Sequence, residues 1–120
     1  MATILIVDDT PSELALMRSV VQRLGHLVIP AHNGKIAVQL ASEHKPGLVL
    51  LDIVMPDQDG FVTCRQIRKC SETSEIPIIL VSSKNGESDK FWGMKQGASD
   101  YICKPFNPDQ LAASIRKFLS

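Results

Sequence analysis

Five short apolar runs recur along the chain and alternate with longer segments of helical periodicity. The runs are Ile4–Val7, Leu27–Ile29, Leu48–Leu51, Ile78–Val81 and Tyr101–Cys103. A strand that is apolar at consecutive positions is buried on both faces, which is typical of a parallel sheet covered by helices. Parallel neighbours need crossover connections long enough for a helix, and these crossovers are right-handed. The pattern therefore predicts an α/β fold with one doubly wound, five-stranded parallel sheet and five helices.

The first helix has the clearest boundaries in the sequence. Thr10 is suited to the N-cap, Pro11 to the first helical position, and Glu13 to completing a Thr-x-x-Glu capping box. Gly25 is expected to end this helix. The other four helices are predicted to begin after Asn33, after Gly60, at about Glu87 and after Asn107-Pro108.

The fourth helix, from about Glu87 to Gln96, carries several large apolar side chains. Phe91 and Met94 are predicted to form the stripe that packs on the core, because they share one side of a helical wheel. Trp92 falls beside this stripe. Packing at the edge of the core and exposure as an aromatic anchor for a partner both remain open for it.

Composition places the chain among ordinary globular domains. Of 120 residues, 44% are hydrophobic and 22% are charged, and thirteen basic side chains balance thirteen acidic ones. This balance argues against binding to nucleic acid or to an anionic membrane. No apolar run approaches the roughly 20 residues of a membrane-spanning helix, and no signal peptide pattern opens the chain. We expect a cytoplasmic monomer with free cysteine thiols and one domain over residues 1–120, without an output domain.

Polar side chains collect at the ends of four of the predicted strands. Asp8 and Asp9 follow the first strand, Asp52 the third, Ser82 the fourth and Lys104 the fifth. Ligands of open parallel sheets bind beyond the carboxyl ends of the strands, so these side chains are expected to lie at one edge. Each alone is explained equally well by an ordinary polar loop. It is much less expected by chance that all of these residues follow the predicted strands.

Three carboxylates at one edge would repel one another, at a cost of about 1 to 4 kcal/mol for each pair. Such a site must raise a pKa, recruit a cation or use Lys104. A hard divalent cation such as Mg²⁺ is the natural remedy, and it would let a phosphoryl group approach. Asp52 is then the best nucleophile toward phosphorus, because it stands alone at a strand end before a turn-rich loop. Its product would be an acyl phosphate.

Several motifs, in order, resemble the receiver domain of two-component response regulators over essentially the whole chain. They are Ile6–Asp9, Asp52–Gly60, the strand end at Ser82 and Gly97–Phe106. The resemblance implies a flavodoxin-like, CheY-like fold with strand order 2-1-3-4-5. It also implies a phosphoprotein that receives its phosphoryl group from the phosphohistidine of a sensor histidine kinase, with Mg²⁺ as cofactor.

The resemblance also assigns roles to the acidic residues and to the loop that follows Asp52. Asp52 would be the phosphoacceptor. Mg²⁺ would be held by Asp9, Asp52 and the backbone carbonyl of Val54, and Asp8 would act mainly through a metal-bound water.

Further roles follow from the same resemblance for residues of the last two strands. Ser82, the backbone N–H of Ser83 and Lys104 would hold the phosphoryl group. Ser82 and Tyr101 would form the switch, although Tyr101 could also be simple edge-strand packing. An output surface would include Trp92, Lys95 and Tyr101.

Within the family, the segment Ser83–Gly97 resembles the single-domain regulators of type IV pilus, or twitching motility, chemotaxis systems. The Asp-Lys-x-Trp-Gly core followed by Gln-Gly-Ala carries this likeness. It implies a CheA-like kinase as phosphodonor and an unidentified downstream protein as target. Such a protein is not an enzyme beyond its own phosphorylation and slow autodephosphorylation.

Two kinds of output remain open: a regulator that binds another protein, and a phosphate sink that drains a shared kinase. A non-phosphorylated pseudo-receiver is the structural alternative, although such chains usually lose a key residue. A flavodoxin-like electron carrier is disfavoured because Asp8 and Asp9 would repel the flavin phosphate. A dehalogenase-type phosphohydrolase is disfavoured because the chain lacks Asp-x-Asp on one strand.

Two positions beside the phosphoryl site depart from the best-known chemotaxis receiver. Val54 replaces an amide and Lys84 replaces an acid. In the family these positions flank the path of the hydrolytic water. We therefore predict that apolar Val54 positions this water poorly and lengthens the lifetime of the phosphoryl group.

Overall fold

The computed structural model describes residues 1–119, in which five strands and five helices alternate. In chain order they are β1 Thr3–Val7, α1 Pro11–Arg23, β2 Leu27–Ala31, α2 Gly34–His44, β3 Leu48–Leu51, α3 Gly60–Lys69, β4 Ile78–Ser82, α4 Glu87–Lys95, β5 Asp100–Cys103 and α5 Pro108–Leu119. All neighbouring strands are parallel, in the order β2-β1-β3-β4-β5. The predicted doubly wound α/β fold and the strand order implied by the resemblance are both confirmed.

Two apolar layers cover the sheet, one on each face. From β1, Ile4 and Ile6 enter the layer under α1 and α5, whereas Leu5 and Val7 enter the layer under α2 and α3. Every residue of the central strand β3 is buried. The continuous apolar runs therefore reflect burial on both faces, and the polar residues are left to the strand ends.

The start of α1 differs from the prediction in one respect. Thr10 is the N-cap residue and Pro11 opens the helix, but the Thr10 side chain makes no capping hydrogen bond. The Thr10 backbone N–H donates to Asp8 Oδ1 at 2.9 Å. The predicted capping box is therefore absent, because the amide that Glu13 would bond is already paired with Asp8.

Helix α4 overturns the predicted core stripe. Phe91 and Met94 are 63% and 48% exposed, and Gly93 is the α4 residue that is buried. Gly93 lies so close to the sheet that a Cβ there would come within 2.7 Å of Leu80 Cδ1. Because of this close approach, residue 93 faces the core, and residues 91 and 94 face the solvent. Trp92 is 50% exposed, which favours the exposed interpretation over packing at the core edge.

Two expectations from composition can be compared with the structure. Cys64 is buried, Cys70 and Cys103 are partly buried, and all three are free thiols, as expected. In the described part of the chain, none of the helices combines the length and the apolar character that a bilayer crossing requires.

Candidate functional site

Three carboxylates converge at the carboxyl edge of the sheet. Strands β1 and β3 are neighbours and end in register at Val7 and Leu51, so the residues that follow them emerge side by side. Asp8, Asp9 and Asp52 each offer an oxygen, and these oxygens lie within 4.8 Å of one another. Asp8 and Asp52 are buried and Asp9 is exposed. The predicted acidic cluster is confirmed, and its oxygen donors are those that suit Mg²⁺.

Lys104 is the counter-charge of this cluster. Its backbone N–H donates to the Ser82 carbonyl at 2.8 Å, which aligns the end of β5 with the end of β4. Its Nζ lies 2.7 Å from Asp8 Oδ2 and 3.8 Å from Asp52 Oδ1, with 11% of the side chain exposed. The Lys104–Pro105 peptide bond is cis. One ammonium group facing three carboxylates leaves the edge negative and suited to a cation.

The electrostatics of the cluster fall mainly on Asp52. Burial raises the pKa of its carboxyl group from 3.8 to about 6. This value already includes the opposing effects of Lys104 and the backbone N–H groups of Val54 and Ile53, which lower the pKa, and a contribution from the charge of Asp8, which raises it. Burial outweighs the contributions that lower the pKa, so the ionised form of Asp52 is destabilised in the folded protein. Added positive charge nearby would stabilise this form.

The β3–α3 loop holds Asp52 and Val54 in place. Gly60, at the start of α3, packs on the backbone of Asp52, where a Cβ would come within 2.3 Å of the Asp52 carbonyl oxygen. Its N–H donates to the Ile53 carbonyl at 2.7 Å. Asp59 caps α3 by accepting from the Val62 N–H at 2.9 Å. The chain therefore turns back onto itself directly after Asp52.

Asp57 ties the same loop to α2, and the sequence analysis missed it. Its carboxylate accepts from the backbone N–H groups of Gly34 at 3.1 Å and Lys35 at 3.0 Å, at the first turn of α2. Burial alone would raise the pKa of Asp57, but these hydrogen bonds, together with those from the backbone of Gln58 and of Asp57 itself, outweigh burial and lower the pKa. The partner amides lie 23 and 22 residues earlier in the chain, so no local pattern in the sequence indicates the contact.

Residues predicted to form the switch meet around the backbone of Lys84. The buried Ser82 accepts at Oγ from the Lys84 N–H at 3.3 Å. The Tyr101 hydroxyl donates to the Lys84 carbonyl at 2.5 Å. Burial is the largest cause that raises the pKa of Tyr101 to about 12. Ser82 and Tyr101 are therefore linked through the backbone of a single residue, Lys84.

A cleft of about 560 Å³ opens beside the acidic cluster. Its walls include Asp9, Leu16, Asp52, Val54, Ser83, Lys104 and Phe106. Val54 is 52% exposed and stands at this opening. The carboxylate of Asp52 is thus reached from a cavity large enough for a phosphoryl group and the side chain that carries it.

The structure does not bring Trp92 and Lys95 to this cluster. Both are exposed residues of α4, and Lys95 Nζ lies over the Phe91 ring, 5.3 Å from its centroid. His26, which the sequence left without a partner, accepts at Nδ1 from the Ala2 N–H at 3.0 Å. The strand-end residues therefore form one site, and the predicted output residues of α4 form a separate surface.

A fold of this order, with three carboxylates and a lysine at the carboxyl edge, defines a class of signalling proteins. Residues 4–116 match the family model of the response regulator receiver domain. The chain belongs to the response regulator receiver domain family, the receiving half of two-component systems. The resemblance drawn from the motifs is confirmed, and membership implies interaction with a phosphodonor histidine kinase.

Individual relatives agree with this assignment. Protein PilH of Pseudomonas aeruginosa is 47% identical over 120 residues, which cover 100% of this chain and 99% of PilH. The alkaline phosphatase synthesis transcriptional regulatory protein PhoP of Bacillus subtilis is 37% identical over 116 residues, or 97% of this chain and 48% of PhoP.

Solved structures agree as well. Chemotaxis protein CheY4 of Vibrio cholerae matches with a TM-score of 0.92 and 28% identity over 99% of both chains. The receiver domain of a sensor histidine kinase from Pseudomonas aeruginosa PAO1 was solved with a magnesium ion coordinated in its active site cleft. It matches with a TM-score of 0.91 and 26% identity over 98% of this chain and 97% of that chain.

The raised pKa of Asp52 predicts that Asp52→Asn stabilises the fold when Mg²⁺ is absent. The folded-state pKa lies above the unfolded value of 3.8, so the charge destabilises the fold increasingly between pH 4 and pH 6 and fully above pH 6. Urea unfolding in EDTA at pH 7.5 should give a free energy of unfolding higher by about 1 to 3 kcal/mol. The gain should shrink toward pH 4.5.

Glu75→Gln is the matched control for this experiment, because Glu75 is an exposed acid remote from the cluster in sequence. It should change the free energy of unfolding by less than about 0.5 kcal/mol. Added Mg²⁺ should narrow the difference between wild type and Asp52→Asn. A less stable Asp52→Asn at pH 7.5 would contradict the assigned electrostatics.

The Asp57 contact predicts a stability cost that depends on its acceptor oxygens. Asp57→Ala should lower the free energy of unfolding by about 0.5 to 1 kcal/mol, since two amides at the start of α2 lose their partner. Asp57→Asn keeps one acceptor oxygen and should cost less than half as much. Because the folded-state pKa lies below 3.8, both costs should be constant from pH 5 to pH 8. Equal costs for the two variants would refute the role of the hydrogen bonds.

Proposed function

We propose that this protein is a phosphorylation switch that accepts a phosphoryl group on Asp52 from a histidine kinase and thereby regulates its binding to another protein. The observation that carries the proposal is the Asp52 carboxylate, which is buried, 3.8 Å from Lys104 Nζ, and open to a cleft of about 560 Å³. Beyond its own phosphorylation and slow autodephosphorylation, we infer no enzymatic activity.

The transfer itself would be a displacement at phosphorus. An Oδ of Asp52 forms a bond to phosphorus while the bond from phosphorus to the kinase histidine nitrogen breaks, and the imidazole leaves with that electron pair. Lys104 supports the product, because its ammonium group can pair with a phosphoryl oxygen while it remains near Asp8. The Ser82 hydroxyl and the Ser83 N–H would hold the other oxygens.

The donor set fits Mg²⁺, because Asp8, Asp9 and Asp52 offer hard oxygen ligands within 4.8 Å of one another. Asp9, Asp52 and the Val54 carbonyl would hold the ion, with Asp8 acting through water. The ion would supply the positive charge that lets a phosphoryl group approach three acids. The loop contacts of Gly60 and Asp57 keep the Val54 backbone in place for this purpose.

The switch would act through Ser82 and Tyr101. The Ser82 hydroxyl would donate to a phosphoryl oxygen, and rotation of this side chain toward the phosphoryl group would carry its Oγ away from the Lys84 N–H, which donates to it at 3.3 Å. Movement of Lys84 changes the carbonyl that receives the Tyr101 hydroxyl. Phosphorylation would thus shift the position of Tyr101 and of the neighbouring α4 surface.

An output regulator is favoured over a phosphate sink by the surface of α4. Phe91, Trp92 and Met94 are 63%, 50% and 48% exposed on one short helix, and Lys95 adds a cation beside them. A protein that only drains phosphoryl groups has no need of such an apolar surface, whereas a partner would bury it. Retention of Asp52, Lys104 and the acidic cluster argues against a pseudo-receiver.

A motility pathway is the best-supported setting. Identity of 47% to protein PilH over essentially the full length of both chains agrees with the likeness of Ser83–Gly97 to single-domain regulators of type IV pilus systems. A CheA-like kinase would then be the phosphodonor, in the cytoplasm, with the regulator acting as a monomer.

The central test uses acetyl phosphate as the phosphodonor. Intact-mass measurement of the wild type with Mg²⁺ should show a single phosphoryl adduct, because Asp52 displaces acetate from phosphorus. The adduct should be lost in EDTA and in Asp52→Asn, whereas Asp109→Asn, at an exposed acid of α5, should retain it. An adduct that persists in Asp52→Asn, or none in the wild type, would refute the proposal.

A second test concerns the lifetime of the phosphoryl group. Val54 is 52% exposed at the cleft and offers the attacking water no hydrogen bond. Val54→Asn should accelerate autodephosphorylation roughly fivefold, as expected for one added hydrogen bond of about 1 kcal/mol. Val54→Ile, which stays apolar, should leave the rate unchanged. An unchanged or slower rate in Val54→Asn would contradict this role.

A further inference from the structure

Gly93 stands opposite two side chains of the sheet at the closest approach of α4. Leu80 and Tyr101 are register partners on β4 and β5. A Cβ placed on Gly93 would lie 2.7 Å from Leu80 Cδ1 and 3.1 and 3.4 Å from Tyr101 Cδ2 and Cε2. We call the space between Gly93, Leu80 and the Tyr101 ring the Gly93 slot.

The backbone conformation of Gly93 does not account for the presence of glycine. Gly25 and Gly97 have positive φ, whereas Gly93 lies in the interior of α4 with an ordinary helical conformation. Glycine in a helix interior is less favourable than alanine, because it loses more backbone freedom on folding. Space for neighbouring side chains is therefore the physical reason for glycine at this position.

The other end of the Tyr101 ring connects the Gly93 slot to the candidate phosphorylation site. The Tyr101 hydroxyl donates to the Lys84 carbonyl at 2.5 Å, and the Lys84 N–H donates to Ser82 Oγ at 3.3 Å. The ring is thus held between α4 on one side and the residue that bonds Ser82 on the other. A change in the volume at position 93 must be transmitted to this ring or to α4.

We propose that Gly93 is a positioning residue that admits the Tyr101 ring against Leu80, so that the missing side chain at position 93 sets the balance between a seated and a displaced Tyr101. Leu80 is fully buried, so its methyl group has little room to move away from an added Cβ. The ring or the helix must therefore yield. The consequence of this balance for phosphorylation rests on the function proposed above, whereas the slot itself does not.

Tyr101 is the single tyrosine of the chain, which allows a direct test. Incorporation of 3-fluorotyrosine gives a ¹⁹F resonance that reports on position 101 alone. In the unphosphorylated wild type we expect a resonance with a small shift between H₂O and D₂O, as for a ring shielded from solvent. Gly93→Ala should move the resonance toward its value in urea and increase the solvent isotope shift.

Lys90→Ala provides the matched control, because it adds an alanine to the exposed side of the same helix. It should leave the ¹⁹F resonance at its wild-type position. A wild-type resonance in Gly93→Ala would overturn the proposal, since the ring would then be indifferent to the volume at position 93.

A double-mutant cycle with Tyr101→Leu covers the case in which Gly93→Ala folds poorly. With the ring removed, Leu80 can move into the vacated space and accommodate a Cβ at position 93. Gly93→Ala should lower the urea midpoint in the wild-type background and leave it unchanged or raised in the Tyr101→Leu background. Equal shifts in both backgrounds would show that the glycine does not serve the ring.

Phosphorylation supplies the functional arm of the test. With acetyl phosphate and Mg²⁺, Gly93→Ala should change the initial phosphorylation rate at least threefold, which is on the order of what a shifted two-state equilibrium gives. The rate of Lys90→Ala should stay within about 1.5-fold of the wild-type rate. If the wild type takes no phosphoryl group, the proposed function fails while the ¹⁹F result still decides the slot. A displaced ring with an unchanged rate would overturn the link between the slot and the phosphorylation site.

Discussion

The acidic edge of the sheet depends on one buried ion pair, between Lys104 Nζ and Asp8 Oδ2 at 2.7 Å. The two residues are 96 positions apart and directly follow β5 and β1, with β3 and β4 lying between those strands. A buried charge without a partner costs several kcal/mol, so each residue requires the other. With Lys104 held against Asp8, its distance to Asp52 is 3.8 Å and the compensation of Asp52 is incomplete. Burial raises the pKa of Asp52, and because Lys104 is held against Asp8 it offsets this rise only in part, which leaves Asp52 responsive to added positive charge.

Much of this arrangement could be predicted, because a parallel sheet brings the carboxyl ends of its strands to one edge. Apolar runs located the strands, and Asp8, Asp9 and Asp52 stood directly after two of them. The strand order could not come from periodicity, since burial on both faces makes the runs alike. It required the resemblance to a family. Asp57 was missed because its partners are amides at the start of α2, and a hydrogen bond between distant segments leaves no trace in local residue spacing.

The two local predictions that failed did so for one physical reason. Thr10 was expected to cap α1 with Glu13, but its N–H is taken by Asp8, a residue whose position is set by the ion pair. Phe91 and Met94 were expected in the core, but α4 lies so close to β4 at Gly93 that Gly93 faces the core instead. In both cases a tertiary contact overrides a local pattern, and both contacts lie at or near the candidate site.

The close approach of Gly93 to β4 explains two properties of α4: the helix can be displaced at low cost, and it exposes large apolar side chains. A helix whose buried residue is a glycine contributes little apolar area to the core. Displacing it therefore costs less than displacing α1, which buries Leu14, Met17, Val20 and Val21, or α5, which buries Leu111 and Ile115. Its large apolar residues are left on the surface, where burial against a partner would stabilise a complex by about 25 cal/mol for each Å² removed from water. The Tyr101 ring fills the space that a side chain at position 93 would take, and its hydroxyl reaches Lys84 next to the site. A change at Ser82 is therefore transmitted to a helix that is displaced more readily than α1 or α5, and this helix carries the exposed aromatic side chains Phe91 and Trp92.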